Sequence, residues 1–119
     1  MVAKAEDLLE KMRSMDPDKR LRAVKEVKNQ IIGNKTKKLC YIKLGAVPQI
    51  LEMLAADSED QLLVQCAACA GSFAYGLEVG VQAVLDGDGI TQLRRMLASS
   101  DSAVVRAGMR SLNTIFQVS

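Results

Sequence analysis

The feature that most restricts what this chain folds into is that it resembles itself 43 residues further on. Met53-Leu54 recurs as Met96-Leu97, and at the same offset Val47 meets Ile90, Gln49 meets Gln92 and Ile50 meets Leu93. Towards the N-terminus Ile42 meets Leu85, Cys40 meets Ala83, Gly33 meets Gly76 and Val27 meets Ala70; Ala70 then meets Leu112 at an offset of 42. A period of about 20–50 residues marks a repeat in which each unit buries its apolar face only by stacking on its neighbours.

Each unit reads as helices. In the stretch Gly45–Gly76, Val47, Ile50, Leu51 and Leu54 recur at the three-and-four spacing of one helical face, with Pro48 in the first turn, where its missing N–H costs nothing. Asp57-Ser58-Glu59-Asp60 breaks the pattern and is expected to supply cap oxygens to a second helix. That helix carries Leu63, Cys66, Ala67, Ala70, Phe73 and Ala74, small and apolar on more than one side, so it needs neighbours on more than one side.

On either side the same grammar returns. A short helix over 3–14 has Leu8, Leu9 and Met12 on one side. Asp16 caps the next, with Pro17 at its first position and Leu21, Val24, Val27 and Ile31 inward, and Gly33-Asn34 ends it near residue 32. Short helices are expected near 36–44 (Leu39, Cys40, Ile42) and 79–86, then a medium one near 90–98. After Ser99-Ser100-Asp101 comes a long one over 102–117. The organisation predicted is an N-terminal helix over 1–15, then repeats over 16–56 and 57–98 and a partial repeat over 99–119. The array looks cut at its end. Met109, Leu112, Ile115 and Phe116 are expected to form an exposed stacking face, inviting self-association or a following repeat.

Composition narrows the class. Hydrophobic residues make up 49% of the chain but aromatic ones only 3%, which suits helix-on-helix packing and not a β-sandwich. A net charge of +2 names no ionic partner. The absence of histidine removes Ser-His-Asp and Cys-His nucleophiles and every His-ligated metal site. Three cysteines on apolar helix faces suit a reducing compartment, and the N-terminus has no signal-peptide pattern. No apolar run reaches ~18 residues, so no membrane span is expected.

The sharper motifs mostly dissolve. Cys66-Ala67-Ala68-Cys69 has redox or metal spacing but lies inside a helix, without histidine or a second ligand pair, and reads as core. Gly33-Asn34-Lys35-Thr36-Lys37 lacks the glycine spacing of a phosphate loop. Asp86-Gly87-Asp88-Gly89 has Leu97 where a calcium loop needs its glutamate, and reads as an interhelix turn. Asn34-Lys35-Thr36 fits the glycosylation pattern, which matters only in a secreted chain. Lys35, Lys37, Lys38 and Lys43 read as one solvated helix face, not a nucleic-acid site.

Period, helix order and turns together resemble the armadillo-repeat family, from about Asp16 to the C-terminus. The segments that carry the likeness are Val27–Asn34, Leu44-Gly45-Ala46-Val47-Pro48, Gln65-Cys66-Ala67, Gly71–Gly76 and Arg110–Phe116. Within the family they resemble the early repeats of a scaffold subunit of a multi-subunit E3 ubiquitin ligase, the CTLH or GID complex. The resemblance implies an all-α, armadillo-type right-handed α-solenoid of about two and a half repeats plus an N-terminal helix. It implies a protein-binding scaffold of cytoplasm and nucleus, without cofactor or catalysis, whose partners are other ligase subunits.

Armadillo proteins commonly bind along a concave groove lined by each third helix, through asparagines preceded one turn earlier by tryptophans. Here the asparagine positions hold Asn29, Ser72 and Thr114, and the tryptophan positions hold Lys25, Ala68 and Arg110. Lys28, Tyr75, Arg106 and Asn113 complete the implied binding face. Without tryptophan, and with several cations, it suits an acidic or neutral partner better than a basic peptide. Two other readings stay open: a generic armadillo adaptor for peptide or cytoskeletal partners, and a redox or metal protein built on Cys66 and Cys69.

Overall fold

The computed structural model describes residues 2–56 and 59–117, and among them all regular structure is helical. Eight helices are described: α1 (Val2–Lys11), α2 (Pro17–Ile31), α3 (Lys35–Lys43), α4 (Ala46–Ala56), α5 (Asp60–Ala74), α6 (Glu78–Asp86), α7 (Gly89–Met96) and α8 (Ser102–Phe116). Their starts keep the sequence period. The helices α3 and α6 begin 43 residues apart, as do α4 and α7, and α2, α5 and α8 follow at 43 and 42. The three long helices each have 15 residues.

Local chemistry sets the boundaries. Asp16 accepts from the Asp18 amide at 2.9 Å, Pro17 opens α2, and Gly33 leaves it at φ +68°; Gly76 does the same after α5 at φ +66°. Asp101 caps α8, accepting from Ala103 and Val104 at 2.8 and 3.4 Å. The expected cap of α5 is different. Asp57 and Ser58 lie outside the described residues, and the N-cap is Glu59, whose side chain makes no capping bond. Asp86–Gly89 is an interhelix turn in which Asp86 and Asp88 accept from Gln82 and Thr91, both at 2.8 Å.

The core centres on α5, which packs against α2, α4, α6 and α8. Cys66, Ala67, Cys69, Ala70, Phe73 and Ala74 are all buried, as a helix apolar on several sides requires. Their small side chains let the flanking backbones approach, and the Ser111 hydroxyl of α8 donates to the Ala67 carbonyl.

Helix α1 is more than a leader. It packs on α2 as α4 packs on α5 and α7 on α8. Its buried residues Ala5, Leu8 and Leu9, with Met12 just past its end, stand 42 residues before Val47, Ile50, Leu51 and Leu54, all buried in α4. The buried Gln49 amide of α4 donates to the Leu9 carbonyl and ties the two helices together.

Two expectations change. In α3 the buried residues are Lys38 and Tyr41, while Leu39, Cys40 and Ile42 are half-buried, so the lysine cluster does not form one solvated face. In α8 the expected stacking face splits. Leu112 and Ile115 are buried, because their arc of the helix turns towards α5 and α7, whereas Met109 and Phe116 stay exposed.

Candidate protein-binding site

Because α2 packs on α5 and α5 on α8, three long helices lie side by side and expose one arc each. Lys25 and Asn29 are exposed on α2, and Arg106, Arg110 and Asn113 are exposed on α8. Between them Ala68 and Ser72 of α5 are half-buried, small residues that leave the middle low. Lys28 is half-buried and donates to the Gln65 side chain at 2.6 Å, linking α2 to α5. Thr114 is half-buried, its hydroxyl donating to the Arg110 carbonyl at 3.0 Å.

A depression of about 280 Å³ crosses all three helices, lined by Lys25, Asp60, Gln61, Val64, Gln65, Asp101 and Ala103. Of the residues read from the sequence, Lys25 lines it. Ala68, Ser72, Arg106 and Arg110 continue the same helices towards their C-termini. The sequence reads Asp60 and Asp101 only as parts of helix-capping segments, and the structure also sets them in this depression. The period held the signal, since it places the N-termini of α5 and α8 in equivalent positions. Their presence changes the electrostatics. The depression mixes Lys25 with two carboxylates, and the exposed Arg106 and Arg110 lie further along α8.

Tyr75 is the C-cap that follows α5 and is 65% exposed. The Lys38 ammonium lies 5.7 Å from its ring centroid and donates to its carbonyl at 3.0 Å. Lys38 itself is buried, and that burial draws its pKa down. A lysine from α3 thereby caps the C-terminus of α5, where a helix dipole favours a cation.

The thiols sit elsewhere. Cys66 and Cys69 are buried in α5. Burial pushes the Cys69 thiol far up, the neighbouring Cys66 adds to this, and Lys28 opposes it. A thiol held protonated in the core is a poor nucleophile and a poor ligand. Among the described residues no group of three His, Cys, Asp or Glu is placed to hold a metal ion, and no single helix is long and apolar enough to cross a membrane.

No protein-family model matches the chain. Individual relatives do. It is 36% identical over 117 residues to Armadillo repeat-containing protein 8 of Xenopus laevis, covering 98% of this chain and 16% of that protein. With the protein of the same name from Mus musculus it shares 37% over 117 residues, covering 98% and 17%. The chain is an armadillo-type repeat array. It spans about one-sixth of the length of these curated relatives. Two crystal structures of engineered proteins share the fold of the array. One superimposes with a TM-score of 0.90 at 24% identity over 96% of this chain and 47% of that one. The other gives 0.86 at 22% over 93% and 44%. An armadillo array of this kind is a repeat scaffold, and such scaffolds generally bind proteins.

Proposed function

We propose that this array is a non-catalytic docking scaffold of a multi-subunit E3 ubiquitin ligase of the CTLH or GID type, acting in protein degradation in cytoplasm and nucleus. The observation that carries the reading is the identity to Armadillo repeat-containing protein 8 along 98% of the chain. The groove across α2, α5 and α8 is the docking surface, with Lys25, Lys28, Arg106 and Arg110 facing acidic groups of a ligase subunit. Asp60 and Asp101 require that the partner present a cation at the N-terminal end of these helices. The missing tryptophans leave no stacking platform for the aliphatic stems of a basic peptide, and that departure turns the reading away from nuclear-import cargo.

Affinity capture from cell lysate, read by mass spectrometry, tests it. The parent chain is expected to recover ligase-core subunits, and Lys25→Glu/Arg110→Glu to lose them. Recovery of peptide or cytoskeletal partners without a ligase subunit favours the generic adaptor. Retention of ligase subunits by the double variant places docking on another face.

A further inference from the structure

Half of the chain's six methionines meet in one place. A depression of about 520 Å³ lies between α4 and the turn that joins α1 to α2, and Met12, Met15 and Met53 line it. Met12 and Met53 are buried, whereas Met15, in the turn, is 95% exposed. Flexible thioether side chains of this kind refit around an incoming apolar group.

Both walls belong to units that pack on one another. The Gln49 amide on the α4 side donates to the Leu9 carbonyl of α1. On the α2 side Arg20 stands one turn before the buried Val24. By the repeat Val24 stands where Ala67 of α5 takes the Ser111 bond from α8, so this arc of α2 is the one turned to the following helix. The depression therefore lies between neighbours within the array and not on an outer face.

Its charges depart from the repeat. Where α2 has Arg20, α5 and α8 have the half-buried Leu63 and Val105. The Arg20 guanidinium donates to the Ser14 carbonyl at 2.8 Å and braces the turn that carries Arg13 and Met15. Arg13 is exposed on that turn and Glu52 is exposed on α4, and both line the depression. At the next junction the repeat puts Ala55 and Arg95 in their places. A cation on one wall and a carboxylate on the other thus belong to this junction and not to its equivalent.

We propose that this depression is a docking surface for a partner protein segment that carries an apolar side chain between an acidic and a basic residue. The apolar side chain enters among Met12, Met15 and Met53, the acid meets Arg13 and the base meets Glu52. Such a segment is complementary in one direction only, so the two charges fix its polarity. The surface shares no residue with the depression across α2, α5 and α8, and it stands or falls apart from the ligase reading.

Selection of a random-peptide display library on the full chain tests it, followed by titration of an enriched peptide into protein labelled at the methionine methyls. Enriched sequences are expected to hold an acid, an apolar residue and a base in one constant order. The peptide should shift the methyl signals of Met12, Met15 and Met53 and leave those of Met96 and Met109 in place. Arg13→Glu/Glu52→Lys, both at exposed positions, should weaken it by at least about tenfold at an unchanged melting temperature. Lys25→Glu/Arg110→Glu should leave it unchanged. Selection on the charge-reversed chain should return the opposite order. No enriched sequence, enrichment without the charge pair, or a peptide that moves Met96 and Met109 instead overturns the proposal. So does binding that survives the charge reversal.

Discussion

The hydroxyl of Ser111 in α8 donates to the main-chain carbonyl of Ala67 in α5, across the packing of two successive long helices. Both groups are buried, and the bond spans one repeat. The approach depends on Gly71, where a Cβ would lie 3.0 Å from the Ser111 oxygen. Ser111→Ala removes one neutral hydrogen bond and should cost about 1 kcal/mol. Ser111→Leu must also force the helices apart and should cost about 1–3 kcal/mol. Urea unfolding checks both through the midpoint at constant m. Equal midpoints for the two variants would mean that the α5–α8 packing is loose.

Lys38 offers a contest between two terms. Burial disfavours its ammonium, while the Tyr75 carbonyl, the end of α5 and the Tyr75 ring favour it. A hydrogen bond from a charged donor is worth about 1.5–3 kcal/mol and a cation at a helix C-terminus about 0.3–1 kcal/mol. Lys38→Met keeps the packing and loses both, so a net loss of about 1–2 kcal/mol is expected by chemical denaturation. A Met variant more stable than the parent would show that desolvation wins.

Much of this architecture was legible in the sequence because its signals are local and periodic. Helix-spaced apolar positions, Asp16-Pro17, Asp101 and Gly33 mark elements through bonds to residues only a few positions away. Lys38 was not legible, since its partner carbonyl lies 37 residues on in sequence and a lysine between lysines looks solvated. Nor could periodicity separate Leu112 and Ile115 from Met109 and Phe116. The helix α8 is apolar over two adjoining arcs, and only the positions of α5 and α7 decide which is covered. The charge of the depression across α2, α5 and α8 was not legible, because Asp60 and Asp101 serve helix starts and line it at once. Helix α1 was cut from the array because Ala5 is a weak apolar signal, although its match to α4 was present at an offset of 42.

Alkaline pH should unfold the chain through Cys69. In the unfolded chain this thiol ionises near its ordinary value of 9.0, whereas burial, then Cys66, keeps it protonated in the fold despite Lys28. Above that pH the folded state binds the extra proton, so stability is complete below pH 9.0 and falls as pH rises, by about 1.4 kcal/mol per unit for one thiol. Tyr41, raised by burial first, acts with the same sign above its ordinary 10.0. Lys38, lowered by burial, acts with the opposite sign just below 10.5. Cys69→Ala isolates the thiol. Its urea midpoint is expected to fall less steeply between pH 9 and 10 than that of the parent. Identical slopes would show that Cys69 ionises without unfolding.

The turns between short and medium helices give a test of repeat equivalence itself. Gly45 after α3 has φ +85°, and Asp88, its counterpart 43 residues on after α6, has φ +61°. Both need the left-handed region, which costs an ordinary side chain about 1–2 kcal/mol and which Asp and Asn tolerate through local hydrogen bonds. Asp88 makes such a bond, accepting from the Thr91 hydroxyl at 2.8 Å. Nothing lies within 4 Å of a Cβ at Gly45, so a substitution there tests conformation alone. Gly45→Ala is expected to lower stability by about 1–2 kcal/mol and Gly45→Asn by clearly less. Asp88→Gly should hold or raise it, and Asp88→Ala should lower it. Thermal melts of the four variants check the order, since ~1 kcal/mol moves a domain of this size by a few degrees. Equal losses for Gly45→Ala and Gly45→Asn would sink the argument from backbone conformation.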